Sequence, residues 1–286
     1  MGLGISVIII NYNTEELLAE CLSSLQSQQK DIHEIIVVDN ASVDQSVPMV
    51  RERFPDVHLL ALSENLGFGR ANNLACEHCA GELLFLLNPD TRVLPGCLAA
   101  IRQYMGEHPE IGMAGTAIYD EQQILQSTVE NEYPGSHYSG TIFSDLPGEV
   151  AWLLGASLVV RKEVFERIQG FDPDFFLYGE DIDLGLRIRK ANWALGYIPE
   201  AKIIHLEGQS ERATPRPALF EKKMRAELLF YRKHYPPEIV RRIKRVRRFQ
   251  AFWRMATLWL AGLLGRENDQ MRAKRVKYSV AAKVYR

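Results

Sequence analysis

Cysteine is scarce in this 286-residue sequence, net charge is close to zero, and no basic leader precedes its first apolar run. A net charge of −2 excludes bulk affinity for nucleic acid. The four cysteines are Cys21, Cys76, Cys79 and Cys97. Cys76 and Cys79 form a Cys-x-x-Cys, but inside the helix that runs towards Gly81, whereas a redox pair needs a helix start. No second pair completes a zinc site, so the four read as buried thiols of a reducing compartment. The run Ile5 to Ile10 reads as a first strand and not as a secretory leader. A myristoylation pattern at Met1-Gly2 is set aside because Ile5 and Ser6 belong to that strand.

The near-neutral total hides a strong asymmetry. Residues 232–286 carry 16 lysines and arginines against 3 acids, while residues 1–231 carry 18 against 33. A basic tail on an acidic body points to an anionic partner surface. Ahead of the tail, apolar runs alternate with helical periodicity. Strands are expected at Ser6–Asn11, Glu34–Asp39, Val57–Leu62 and Leu83–Leu87, with helices after the first two and a helix following the Asn65–Gly69 loop. Such β-α units argue for a parallel sheet with right-handed crossovers. The run Leu83-Leu84-Phe85-Leu86-Leu87 reads as a strand buried on both faces, and Pro89 forces the chain out of the sheet at Asp90, with a helix starting near Pro95. Met113–Tyr119 is a further strand, 120–150 a long functional loop, Trp152–Val160 a single buried strand, and Ala201–Leu206 a final strand carrying His205.

Asp39 and Asp90 close two strands of the expected parallel sheet, so both face the crevice beyond its carboxyl edge. Asp90 suits a hard divalent cation bridging a diphosphate. Asp39 either accepts hydrogen bonds from a base imide or ribose hydroxyl, or caps its own turn. Glu180, Asp181 and Asp183 open a helix, where acids complement the dipole. Asp181 shares a face with Leu184, which turns it towards the interior and Asp183 away. His205 is a further metal ligand or a donor to phosphate.

Together these stretches resemble glycosyltransferase family 2, the inverting nucleotide-sugar transferases. The resemblance covers roughly residues 5–210 and rests on five motifs in order: Ser6–Asn13, Val37–Ser42, Asn65–Phe68, Asn88-Pro89-Asp90 and Gly179–Leu184. It implies an α/β GT-A fold, Rossmann-like, with a mostly parallel sheet and flanking helices, followed by a C-terminal helical basic extension. Residues 1–110 would be the nucleotide-sugar-binding half, 111–218 the metal- and acceptor-binding half of the same domain, and 219–286 the extension.

By the same resemblance Asp39 contacts the base, and Asn11, Tyr12 and Asn13 line the nucleotide pocket. Asn65, Gly67 and Asn73 fall where the donor-binding loop and helix lie. Asp90 matches the metal-binding end of the family's Asp-x-Asp, holding Mg2+ or Mn2+ with His205, and Asn88 replaces the first aspartate, giving a contact to sugar or ribose. Asp181 matches the catalytic base, Glu180 its partner on the acceptor side. Gly155 belongs to that side, with Trp152, which serves equally as core. Within the family the motifs look most like bacterial rhamnosyltransferases of cell-wall and O-antigen assembly, implying a dTDP-rhamnose donor and a lipid-linked sugar acceptor.

Residues 207–218 are a candidate lid over the donor. Beyond them Leu219–His234 is an amphipathic helix, and the run Arg241–Arg248 leads into Phe249–Gly265, rich in tryptophan and leucine but short of a membrane span. Residues 236–286 fit a helical surface lying on an anionic membrane, at the cytoplasmic inner face; an oligomerisation helix and an RNA-binding tail are the alternatives. A sugar nucleotidyltransferase is disfavoured because Asn11-Tyr12-Asn13-Thr14 stands where its Gly-rich, Arg-containing loop would be. A non-catalytic binding protein is disfavoured by the intact Asp90, Asp181 and His205.

Overall fold

The computed structural model describes residues 3–206, 215–263 and 268–286. It divides into two units, Met1–Tyr133 with Leu146–Arg212, and Pro134–Asp145 with Ala213–Arg286. The first begins with β1 (Ile5–Asn11), α1 (Glu15–Gln26), β2 (Glu34–Asp39), α2 (Ser46–Arg53), β3 (His58–Ala61), α3 (Phe68–Cys76) and β4 (Leu83–Leu87). It continues through β5 (Thr91–Val93), α4 (Cys97–Glu107), β6 (Ile111–Tyr119), β7 (Val129–Glu130), β8 (Trp152–Leu153), β9 (Ser157–Arg161), α5 (Lys162–Arg167), α6 (Glu180–Lys190) and β10 (Ala194–His205).

Eight of these strands form one sheet in the order β3-β2-β1-β4-β9-β6-β10-β5. Its first half, β3-β2-β1-β4, is parallel. All five side chains of β4 are buried because both faces are covered. Phe85 packs on one face with Leu18 and Leu22 of α1 and Leu98 and Ile101 of α4. Leu84 and Leu86 pack on the other with Ala71 and Ala75 of α3 and Leu184 of α6.

The second half departs from the sequence reading in four places. β9 is antiparallel to both β4 and β6, which makes the sheet mixed though mostly parallel. Trp152–Val160 is not one strand: β8 pairs with β7 in a separate two-stranded sheet, and the chain turns through Leu154-Gly155-Ala156 before β9. After Asp90 the chain makes the short strand β5, antiparallel to β10, before the helix. The last strand starts at Ala194, seven residues earlier than its apolar end indicates, and shifts register between Ile198 and Lys202. Short strands and bulges carry too few residues for a period-2 pattern to show.

The expected loop 120–150 is divided as well. It contains β7, and its residues 134–145 group with the C-terminal chain. That second unit contains α7 (Arg216–His234), α8 (Pro237–Leu263) and α9 (Asp269–Val284). Glu227 of α7 ties the three together. It accepts from Tyr231 Oη, from Arg247 Nη2 of α8 at 3.0 Å and from Tyr285 Oη just beyond α9 at 2.5 Å. The basic run 241–248 and the apolar stretch after it form one continuous helix as far as Leu263. Of the candidate lid, residues 207–214 lie outside the described residues, and from Arg216 the chain is already α7.

Gly67 shows how tightly the first unit is closed. It precedes α3 at φ +81° and ψ 176°, a region open almost only to glycine. A Cβ there would stand 2.4 Å from the carbonyl oxygen of Phe176, which itself accepts from Phe68 N. Gly96, at φ +83°, has nothing within 4 Å of its Cβ position. Gly96→Ala is therefore expected to cost about 1–2 kcal/mol, from left-handed strain alone. Gly67→Ala adds overpacking and is expected to cost at least about 3 kcal/mol. Urea denaturation of the two variants measures the gap, and equal losses would refute the close packing of Phe176 on the loop.

Candidate active site

Parallel pairing in register brings Asn11 of β1 opposite Asp39 of β2 at the carboxyl edge. There Asn11 Nδ2 donates to Asp39 Oδ2 at 2.8 Å and its Oδ1 accepts from Thr14 Oγ1 at 2.6 Å. Ser42 N–H donates to Asp39 Oδ1 at 2.9 Å, so the carboxylate is fixed at both oxygens and each oxygen keeps a lone pair. The next residue, Asn40, holds the adjoining loop: Leu66 N–H donates to its Oδ1 at 2.8 Å, and its Nδ2 donates to Gly67 O at 3.3 Å. Asn65 Oδ1 accepts from Gly67 N. Tyr12 is exposed, and Asn13, at φ +55°, accepts from Val43 N at 2.8 Å.

Two residues expected at the donor carry internal hydrogen bonds in this structure. Asn11 is wholly buried and its amide is engaged by Asp39, Ser42 and Thr14, which positions Asp39. Asn73 clamps the backbone of Phe171 with both amide groups, at 2.8 Å each. In both cases the amide faces the interior, where an unmatched polar group is costly.

At the end of β4 the turn Asn88-Pro89-Asp90-Thr91 is closed by Thr91 Oγ1 donating to Asn88 O at 2.7 Å. The Cys21 thiol of α1 lies 3.6 Å from Thr91 Oγ1; burial pushes that thiol up to about 12 and keeps it protonated. Thr91 pairs with His205 across β5 and β10, which places His205 Nε2 3.3 Å from Asp90 Oδ1. Two donors bonded to one octahedral cation at about 2.1 Å each, at right angles, stand about 3 Å apart, so carboxylate and imidazole fit a shared divalent ion. His205 Nδ1 is buried without a hydrogen-bond partner among the described residues. No third His, Cys, Asp or Glu completes a cluster among the described residues, so a cation held by this pair would take its remaining ligands from water or a bound ligand.

The antiparallel strand β9 connects this turn to the acids of α6. Asn88 N–H donates to Ala156 O at 3.0 Å, and the neighbouring Gly155 N–H donates to Asp181 Oδ2 at 3.1 Å. Asp181 and the Asp90 turn thus flank three residues of one strand lead-in. A Cβ on Gly155 would stand 3.3 Å from Asp181 Cβ and 3.4 Å from its Oδ2, so the glycine lets the acid approach the backbone. Burial raises the Asp181 carboxyl above its ordinary range, opposed by the N–H groups of Ile182 and Gly155. Burial first, and then the charges of Asp181 and Asp183, push Glu180 up to about 8. The expected orientation of Asp183 is reversed: it is fully buried and ion-paired to Arg187 Nε at 2.6 Å, since i,i+4 places the guanidinium over it. Trp152 is half-buried, with its indole N–H on Glu132 O at 3.2 Å.

Sequence reasoning assigned no role to Asn40, Ser42 or Thr91. Their positions at strand ends beside Asp39 and Asp90 are the only signal the sequence offers for them.

Residues 6–169 match the family model described as glycosyl transferase family 2. An N-acetylglucosaminyl-diphospho-decaprenol L-rhamnosyltransferase of Mycobacterium tuberculosis is 27% identical over 239 residues, covering 73% of this chain and 78% of the relative. The rhamnosyltransferase WbbL of Escherichia coli is 25% identical over 228 residues, 72% and 85% of the two chains. In fold, the chain is similar to a mannosyltransferase of Pyrobaculum calidifontis solved with GDP-Man and Mn2+. That match has a TM-score of 0.61 at 18% identity and covers 99% of this chain and 87% of the other. The family model spans more than half of the sequence, and the mixed, mostly parallel sheet with its flanking helices is the matching architecture: this chain belongs to glycosyl transferase family 2.

Proposed function

We propose that the protein is an inverting, metal-dependent rhamnosyltransferase that moves L-rhamnose from dTDP-rhamnose to a lipid-linked sugar acceptor at the cytoplasmic face of the membrane. The observation that carries the reading is the hydrogen bond from Asn88 N–H to Ala156 O, which sets a candidate metal-binding acid and a candidate base beside one stretch of backbone. The rhamnosyl donor and lipid-linked acceptor follow the relatives' activities.

Asp39, fixed by Asn11 and Ser42, offers its free lone pairs to the imide N–H of the base. Asp90 and His205 would hold a divalent cation, which when bound would supply positive charge at the departing diphosphate. Asp181, held by Gly155, takes the proton of an acceptor hydroxyl as that oxygen bonds to the anomeric carbon and the bond to the diphosphate breaks. Attack from the face opposite the leaving group inverts the centre in one displacement. Asn88 stands beside the sugar or ribose.

The second unit provides the membrane contact. Phe249 and Trp253 of α8 are 70% and 62% exposed, and Trp259, Leu260 and Leu263 are exposed further along the same helix. Among the described residues no helix is long and apolar enough to cross a membrane. Aromatics beside the basic run 241–248 suit an interfacial helix on anionic lipid. Self-association through the same face is the alternative occupant.

Three outcomes follow. In a thermal-shift panel of dTDP-, UDP- and GDP-sugars, dTDP-rhamnose with Mn2+ is expected to stabilise most, by about 2.7 kcal/mol at a hundredfold excess over Kd. Asp90→Ala should remove the metal-dependent part; a shift indifferent to Mn2+ would defeat the metal assignment. Asp181→Asn should lower kcat by about 10²–10⁴-fold with the Tm retained, and a variant keeping a tenth of wild-type activity would exclude Asp181 as base. In flotation with anionic liposomes, Trp253→Glu with Trp259→Glu should weaken binding by about tenfold or more; unchanged flotation would move the contact elsewhere.

A further inference from the structure

All four cysteines lie in the first unit, and two of them differ from the others. Cys21 and Cys97 are 0% exposed, whereas Cys76 and Cys79 are 8% and 5% exposed, with Glu77 and His78 exposed between them. The sequence places this pair inside a helix; the structure ends α3 at Cys76, so the two cysteines straddle its end. There the chain tightens. His78 N–H donates to Ala75 O at 3.0 Å, and Cys79 N–H donates to Cys76 O at 3.2 Å. Two consecutive bonds of this i→i+3 kind are 3-10 geometry, in which side chains three residues apart eclipse one another. A hydrogen-bonded turn also keeps its end Cα atoms less than about 7 Å apart, close to the range of about 4.4–6.8 Å that a disulfide spans. The Cys79 thiol is turned back along the helix, donating to Ala75 O at 3.4 Å.

We propose that Cys76 and Cys79 form a reversible dithiol–disulfide site, oxidised by a low-molecular-weight disulfide, with Cys79 as the attacking sulfur and Cys76 as the resolving one. The Cys79 thiolate attacks one sulfur of the small disulfide. That S–S bond breaks, a mixed disulfide forms on Cys79, and one thiolate leaves. The Cys76 sulfur then attacks the Cys79 sulfur, closing the internal S–S bond and expelling the second thiolate. The two cysteines give up two electrons, the small disulfide is reduced, and the two cysteine protons end on the two released thiols.

A reactive thiol needs a positive or donating environment, which a helix start commonly supplies and a helix end does not. Here Lys162, at the start of α5, stands in for it. Its Nζ donates to Cys79 O at 2.5 Å, placing a cation at the carbonyl end of α3. A hydrogen bond with Cys76 lowers the Cys79 thiol below its ordinary range; the Ser6 hydroxyl and the Lys162 charge act the same way, against burial and the charge of Glu34. Glu34 is itself engaged, accepting from Ser6 Oγ and Ala80 N at 2.6 Å each, and Glu166 lies 3.7 Å from Lys162. Ser6 and Glu34 pair at the start of β1 and β2, whereas Asn11 and Asp39 pair at their ends, so the thiols lie at the opposite edge of the sheet from the candidate active site. No step of glycosyl transfer enters the inference.

Peptide mass spectrometry tests it. Reduced full-length protein is incubated with excess oxidised glutathione, quenched in acid and alkylated with N-ethylmaleimide in denaturant. The wild type should show a Cys76–Cys79 disulfide, with Cys21 and Cys97 alkylated, and dithiothreitol should restore all four thiols. Four alkylated cysteines after oxidation, or glutathione on Cys21 and Cys97 as readily as on the pair, overturns the site. Cys76→Ser should stop at a glutathione adduct on Cys79, and Cys79→Ser should take up none; an adduct on Cys76 in the second variant and none in the first overturns the order of attack. The wild-type map needs no variant and decides the disulfide by itself. Because the bond restricts the unfolded chain, oxidised protein should melt above reduced protein and return on reduction. An unchanged or lower Tm overturns the claim that the turn already has the geometry the bond requires.

Discussion

The antiparallel pairing of β9 with β4 is the constraint on which the site depends. β4 leaves the sheet at Pro89, which has no N–H to continue a ladder, so the last pairing available on that edge is Asn88 N–H to Ala156 O. That bond fixes where the Asp90 turn lies, and the residue before Ala156 is the one that holds Asp181. A parallel strand in place of β9 would enter β4's neighbourhood from the opposite end and carry its lead-in away from the carboxyl edge. One reversed strand therefore places acids on two sides of the sheet's carboxyl edge.

The charges buried around this centre are each answered by backbone or by an opposite charge, with one exception. Arg161 donates to the carbonyls of Ile111, Met105 and His108, and Arg189 to those of Leu146, Pro147 and Gly148. Each guanidinium bridges several backbone carbonyls at once, a use to which its planar fork is suited. Asp183 is answered by Arg187 and Asp39 by Asn11 and Ser42. Glu180 alone among the acids of α6 keeps a buried oxygen without a hydrogen-bond partner among the described residues.

The second unit solves a different problem. Its helices carry aromatic side chains to the surface, yet Glu227 with Tyr231, Arg247 and Tyr285 binds all three at one polar node. Burial of both tyrosines beside the Glu227 charge raises their hydroxyls well above the ordinary range, so they remain donors to it at any physiological pH. The node holds the helices by their interior faces and leaves the faces bearing Phe249 and Trp253 free of internal duty.

The local pattern of the chain settled the parallel half of the sheet, because β1, β2 and β4 are long apolar runs whose two buried faces leave no other assignment. It also settled the motif residues at their carboxyl ends, since a strand's last residue is fixed by the strand. It did not settle β5, the break at Leu154-Gly155-Ala156, the early start of β10 or the grouping of 134–145 with the C-terminal chain, which depend on partners distant in sequence. The same holds for side chains. Asn11 and Asn73 look like ligand-facing amides and Asp183 like a solvated acid until tertiary packing supplies Asp39, Phe171 and Arg187. Residue type and spacing state which groups are available, and only the folded arrangement decides which of them have already found a partner and which still need one.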